Sequence, residues 1–275
     1  MGQASGVSNS HIELANAKLT RTLRIVGRRD DGYHLLEAEM ISLDLADELE
    51  IEEGDGLEVI DDVRFVGRGT RPDLIGTLPR DGSNLVQQAL DLAGLSRRIR
   101  LTKRIPPGAG LGGGSSDAAA VLRFAKVFDA ELAARLGADV PFCLRGGRAF
   151  VSGVGEIIES LPYQARYFVL MTPPFSVSTP AVYRRFDEIG ETVPARGGND
   201  LEAAALSVAP ELERYRTVLR QATGREPVLA GSGSTYFVEC ELDEAALLAN
   251  ALEESLERSN LLAMVRATQS THPVD

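Results

Sequence analysis

Apolar and polar positions along this chain change period several times, and each change predicts an element. From His11 to Ile60 the pattern is that of strands. Leu19, Leu23 and Ile25 are the apolar positions of one extended segment, and Ile41, Leu43 and Leu45 alternate with Ser42, Asp44 and Ala46. The cluster Arg28-Arg29-Asp30-Asp31-Gly32 predicts a turn between segments, and the stretch from Gly67 to Gly82 predicts a loop. Ser83 then reads as an N-cap, Val86, Ala89, Leu90 and Ala93 follow at helical spacing, and Gly94 closes the helix. Ile99 and Leu101 mark a short strand. A glycine-rich loop at 106–114 leads into a helix with Val121, Phe124, Ala125 and Phe128 on one face. Residues 131–160 read as a short helix, a turn at Asp139–Pro141, and strand. Tyr167 to Met171 is an unbroken apolar run, the mark of a buried strand. Helices are predicted over 179–187 and 199–221, and a strand, glycine loop and strand over Val228 to Cys240. A helix carrying Ala245, Leu248, Leu252 and Leu256 follows, then a last strand from Leu261 to Ala267. Strands and helices mix without regular alternation, which predicts an α+β fold in two lobes. The boundaries are 11–160 and 161–275, after a small, polar, disordered leader at 1–10.

Composition narrows the function. Lys plus Arg is 29 against 40 for Asp plus Glu, a net charge of −11. That excludes a nucleic-acid binder, which needs a basic footprint, but not a small anionic ligand. Cys143 and Cys240 make no disulfide framework, and with His11, His34 and His272 they form no metal-ligand spacing. No apolar run reaches the ~18 residues of a membrane span, and the start has no signal-peptide pattern. No membrane partner and a cytoplasmic location are the expectation; the oligomeric state stays open.

The chemistry concentrates in Ile105-Pro106-Pro107-Gly108-Ala109-Gly110-Leu111-Gly112-Gly113-Gly114-Ser115-Ser116-Asp117, which joins a strand to an Ala-rich helix. Its five glycines let the backbone approach a ligand closely. Successive N–H groups in such a turn make an anion-binding nest, and the helix N-terminus adds its dipole. Ser115 and Ser116 supply hydroxyls where a triphosphate or its Mg²⁺ would lie; the plainer alternative is a strand-to-helix turn with serine caps. A Walker A loop is excluded because no lysine stands before the serines. Gly108, Gly110 and Gly113 match G-x-G-x-x-G formally, but two prolines part them from the strand, so a dinucleotide-binding oxidoreductase has only this spacing behind it.

The segment Pro106 to Ala119 resembles the phosphate-binding motif of the GHMP kinases. Four more stretches resemble the branch of that family acting on a cytidyl-linked sugar alcohol: Ala15-Asn16-Ala17-Lys18-Leu19, Gly27 to His34, Leu136-Gly137-Ala138-Asp139-Val140-Pro141-Phe142, and Ala230-Gly231-Ser232-Gly233-Ser234. They occur in order over most of the chain. The resemblance implies the two-lobed GHMP kinase fold, with an N-terminal lobe like the second domain of ribosomal protein S5 and a ferredoxin-like C-terminal lobe. It implies ATP and Mg²⁺ as cofactors and phosphorylation of the 2-hydroxyl of diphosphocytidyl methylerythritol in non-mevalonate isoprenoid synthesis.

Site residues follow from the same likeness. Asp139 would be the base or orienting carboxylate and Lys18 the cation beside it, although on spacing alone Asp139 reads first as a helix N-cap and Lys18 as a solvated strand-end charge. Pro106, Gly108, Gly110, Leu111, Gly112, Gly113, Gly114, Ser115 and Ser116 would hold the nucleotide, with Asn84 and Lys103 near it; alternatively Asn84 starts a helix and Lys103 is a solvated strand end. Tyr33 and Tyr183 would sandwich a cytosine whose edge His34 bonds, with Thr179, Thr20, Gly231 and Gly233 completing the substrate wall. Asn199-Asp200 resembles the pair that precedes a long helix. The sequence departs from the pattern at Asn16, usually proline, and at Thr20, usually asparagine, with Arg21 after it. The segment between Phe128 and Leu136 is short. These departures leave open a kinase for another small alcohol; a catalytically silent relative is the third reading.

Overall fold

The computed structural model describes residues 10–74, 78–79, 82–190 and 198–274. In chain order the elements are β1 (His11–Arg28), β2 (His34–Glu52), β3 (Gly56–Asp61), β4 (Val66–Gly67), α1 (Leu85–Ala93), β5 (Arg98–Lys103), α2 (Gly113–Phe124), α3 (Ala130–Ala134), α4 (Val140–Arg145), β6 (Arg148–Gly153) and β7 (Ile157–Leu161), followed by β8 (Tyr167–Thr172), α5 (Thr179–Ile189), α6 (Glu202–Val208), α7 (Leu212–Thr223), β9 (Val228–Leu229), β10 (Tyr236–Cys240), α8 (Leu242–Ser259) and β11 (Leu262–Gln269). Apart from Ser10, the expected leader lies outside the described residues.

Two sheets organise the molecule. In the first the order is β3-β5-β2-β6-β7, with β1 paired along β2 in a long hairpin from His11↔Ile51 to Arg28↔His34. In the second the order is β4-β11-β8-β10-β9. Helices lie between β8 and β9 and between β10 and β11, and neighbouring strands are antiparallel, so this half is ferredoxin-like. The small strand β4 crosses over and pairs with β11. This is the two-lobed α+β fold that the sequence implied.

Strand β8 shows why the sheets stay together. Its alternate residues face two cores: Val169 and Met171 pack with Leu212, Leu219, Leu252 and Leu256 under the helices, while Phe168 and Leu170 pack with Leu19, Ile41 and Leu43 of the first sheet. A strand covered on both faces must be apolar at every position, which accounts for the unbroken run. On the first sheet, the alanines of α2 are fully buried beside Leu49, Ile51, Ile99 and Leu101. Small side chains there let the helix, and so the loop that begins it, lie close to the sheet.

Three boundaries differ from the sequence reading. The cap of α1 is Asn84, whose side chain accepts from Val86 N at 3.0 Å, not Ser83. Helix α2 ends at Phe124, because Lys126 turns into a positive φ of 58°, and Phe128 is exposed rather than part of the buried face. The predicted helix over 199–221 is two helices, parted where Ala209 leaves helical geometry before Pro210, as residues preceding proline tend to do.

Candidate active site

The glycine-rich loop runs between β5 and α2 and is clamped from both lobes. Leu111 O accepts from Lys18 N on β1 at 2.9 Å, and Ala109 O accepts from Thr235 N at 3.1 Å. Two glycines are required by this approach. A Cβ on Gly110 would lie 2.4 Å from Ala230 O, and one on Gly112 would lie 2.6 Å from Lys18 Cγ; both have positive φ. Gly112 is the N-cap of α2, in left-handed geometry, and no side chain caps the helix. The first-turn N–H groups of Gly113, Gly114 and Ser115 are therefore left to a ligand, at the positive end of the helix. Gly113 itself is not in the left-handed region; it is small because Ile105 and Lys103 crowd it.

Facing this helix end is a charge pair. Lys18 Nζ stands 3.2 Å from Asp139 Oδ2 and donates to Thr20 Oγ1 at 3.1 Å. A two-residue spacing on one strand puts Lys18 and Thr20 on the same face. Asp139 occupies the N-cap position of α4 but makes no capping hydrogen bond. Its carboxylate is thus taken up by Lys18 at the cleft rather than by the helix backbone. Arg21 points elsewhere: it bonds Glu39 at 2.9 Å and Glu239 at 3.0 Å, so it forms no part of the substrate wall. Asn16 takes its unusual place at a bulge in β1, donating to Leu43 O and accepting from the Ser116 hydroxyl through its own carbonyl.

A cleft of 720 Å³ brings together Lys18, Thr20, Tyr33, His34, Gly110, Gly112, Ser115, Asp139, Thr179, Tyr183 and Gly231 of the expected site. Tyr33 is exposed. The His34 ring packs on Tyr183 with centroids 5.0 Å apart. Burial, and after it the Asp139 charge, push the Tyr183 hydroxyl up to about 12, so it acts as a neutral donor. Thr179 Oγ1 and Ser232 Oγ share a hydrogen bond of 2.7 Å. Asn199 shapes the second glycine turn, its Nδ2 donating to Leu229 O and Gly231 O, each at 2.7 Å.

Other expected residues stand behind the cleft rather than in its wall. Pro106, Gly108, Leu111, Gly113, Gly114 and Gly233 build the loops without lining it. Ser116 is turned inward, its hydroxyl donating to Asn16 O at 2.6 Å, because the second of two adjacent helical serines faces the core. Asn84 is occupied as a cap and donates to Pro79 O. Lys103 is neither solvated nor in the cleft: it is buried against Asp47 and Asp117. Among cleft residues the sequence reading did not select are Ser232, inside a motif already quoted, and Asp187, one helical turn from Tyr183.

The Asp47–Lys103–Asp117 triad lies beneath the start of α2. Burial pushes the Asp117 carboxyl up to about 8, with Asp47 adding to it and Lys103 opposing. The two carboxylates together raise Lys103 above its ordinary value against the cost of burial. Asp117 therefore takes up a proton on folding between its unfolded value of about 4 and about 8, and stability from this group falls as pH rises through that window. Asp117→Asn is expected to remove the effect. The melting temperature of the variant, relative to the parent, should rise from pH 4 to pH 8 and level above; a constant difference would contradict this account.

The profile described as GHMP kinases N terminal domain matches residues 83–147. The chain is 37% identical over 267 residues to a 4-diphosphocytidyl-2-C-methyl-D-erythritol kinase of Paracoccus denitrificans, covering 90% of this chain and 91% of that one. It is 36% identical to that of Thiobacillus denitrificans over 84% of this chain and 87% of the relative. A crystal structure of 4-(cytidine 5'-diphospho)-2C-methyl-D-erythritol kinase superposes with a TM-score of 0.72 at 35% identity, covering 95% of this chain and 100% of that one. L. major mevalonate kinase, at 15% identity and a TM-score of 0.67, shares the fold. Fold and site define an ATP-dependent kinase of the GHMP class. Within that class, the chain belongs to the 4-diphosphocytidyl-2-C-methyl-D-erythritol kinase family.

Proposed function

We propose that this chain transfers the γ-phosphoryl group of ATP to the 2-hydroxyl of 4-diphosphocytidyl-2-C-methyl-D-erythritol. The observation that carries the reading is the Lys18–Asp139 pair set opposite the uncapped start of α2, in one cleft with Tyr33, His34 and Tyr183. The N–H groups of Gly113, Gly114 and Ser115 hold phosphate oxygens. Asp139 accepts the proton of the attacking hydroxyl as its oxygen bonds the γ-phosphorus, and the bond to the β-bridging oxygen breaks to release ADP. Lys18 stabilises the charge that spreads over the transferring group.

Mg²⁺ completes the reading. Among the described residues no cluster of three or more His, Cys, Asp or Glu side chains forms a protein cage for a metal. That fits an ion that would be held chiefly by ATP phosphates and water, with the Ser115 hydroxyl as the protein donor in the cleft. When bound it neutralises phosphate charge. Residues 11–160 form the ATP-binding lobe and 161–275 the second lobe, with β4 lent to the second sheet.

The aromatic residues separate the cytidyl substrate from a plain alcohol. Tyr33 is 65% exposed, so its ring adds little to the folded core. Tyr33→Ala is expected to raise KM for the cytidyl substrate by roughly 5- to 150-fold from lost base stacking, with KM for ATP unchanged. Tyr33→Phe should be nearly neutral. Steady-state kinetics with both substrates varied checks this, and an unaltered KM in the alanine variant would remove the cytosine clamp. A coupled ADP-release assay over cytidyl-linked and plain sugar alcohols tests the function itself.

A further inference from the structure

His34 is held by one face of α5. Tyr183, Phe186 and Asp187 lie three and four residues apart and so project from the same side of the helix. The imidazole packs on Tyr183 with centroids 5.0 Å apart, and meets Phe186 edge-on at 5.9 Å. Its Nε2 lies 2.6 Å from Asp187 Oδ1, and only 10% of the His34 side chain is exposed. The other Asp187 oxygen is 3.5 Å from Arg28 Nη1. A carboxylate can only accept, so the Nε2 atom facing it carries the proton. In the neutral ring Nδ1 is then a bare acceptor, and among the described residues it has no hydrogen-bond partner. Both His34 and Asp187 line the cleft.

We infer that Asp187 is a positioning residue: by fixing the proton of His34 on Nε2, it makes Nδ1 an acceptor and tunes the pyrimidine site to a base that presents an amino donor. Cytosine carries an exocyclic amino group where uracil carries a carbonyl oxygen. An acceptor at Nδ1 pairs with the amino group and faces the carbonyl with lone pair against lone pair. The choice between cytidyl and uridyl substrates is thus made by a carboxylate that does not itself touch the base. This rests on the cytidyl substrate proposed above, with His34 at the base edge as the resemblance implies. The sandwiching rings carry no such choice, because every base has a π-face.

The test compares the parent with Asp187→Asn and Asp187→Glu. The amide is isosteric and can either accept from Nε2 or donate to it, so the ring is free to move its proton to Nδ1. The parent should prefer 4-diphosphocytidyl methylerythritol over its uridyl analogue. Asp187→Asn should reduce that preference by about tenfold or more, through KM, with kcat on the cytidyl substrate within about twofold. Asp187→Glu should recover part of it. The ¹⁵N signals of labelled histidine give a second readout, readily assigned because the chain has 3 histidines. The parent should show His34 protonated at Nε2, and Asp187→Asn should lose that fixed form. A parent indifferent to the base would overturn the inference. So would an Asp187→Asn variant that raises KM equally for both substrates, or one that keeps the preference. If the parent turns over neither compound, the proposed function fails and the ¹⁵N signals alone decide: a His34 proton fixed on Nε2 by Asp187 upholds the positioning role, and any other form overturns it.

Discussion

Asp139→Asn is expected to lower kcat by about 10²–10⁴-fold, the usual worth of a positioned base or charge in phosphoryl transfer. The affinity for ATP should hardly change, because the phosphate-binding N–H groups belong to α2 and not to α4. The structure sharpens this expectation. Asp139 makes no capping hydrogen bond, so the amide cannot act by unravelling α4. It meets Lys18 at 3.2 Å, and the isosteric amide leaves Lys18, 8% exposed, with its hydrogen bond to Thr20. The melting temperature should stay close to that of the parent. A variant with more than about a tenth of parental kcat would show that another group accepts the proton.

Gly112→Val should remove nucleotide binding and turnover together. The position has a φ of 68°, which a β-branched residue takes up only at a cost of about 1–3 kcal/mol. The added Cβ would meet Lys18 Cγ at 2.6 Å. Relief of that contact must move either the start of α2 or Lys18. We expect ATP affinity to fall by at least about tenfold and kcat by about 10²-fold, since both the N–H cradle and the Lys18 charge are displaced. Equilibrium titration with a non-hydrolysable ATP analogue, alongside a melting curve, separates a damaged loop from a damaged fold. Parental affinity in a folded Gly112→Val would contradict the assignment of this loop.

The sequence exposed the site's loops and hid its reach. The glycine run stood out because a phosphate cradle needs a local run of small residues, and a local run is visible in one dimension; Lys18 and Asp139 were reached only through the family resemblance. The period of two puts Lys18 and Thr20 on one face, whereas Arg21 falls at an irregularity between Thr20 and Thr22 and pairs with Glu39 and Glu239. Lys103 was read as a nucleotide neighbour, and its burial came from partners that no local pattern joins: Asp47 lies 56 residues away. Ser116 shares its type with Ser115 and differs only in helical angle, so one faces the cleft and the other the core. The break at Ala209–Pro210 was legible from the proline alone, and the apolar spacing around it concealed it. Asp187 became visible only once α5 was placed against the start of β2.

The central claim is the identity of the phosphorylated atom, and one measurement reaches it. The purified chain is incubated with ATP, Mg²⁺ and 4-diphosphocytidyl-2-C-methyl-D-erythritol, and the product is read by ³¹P and ¹³C nuclear magnetic resonance. The account predicts one new phosphomonoester signal, coupled to the carbon that bears the 2-hydroxyl, with the diphosphate bridge intact and ADP formed in equal amount. ADP without that signal, or a phosphate on another carbon, would contradict it.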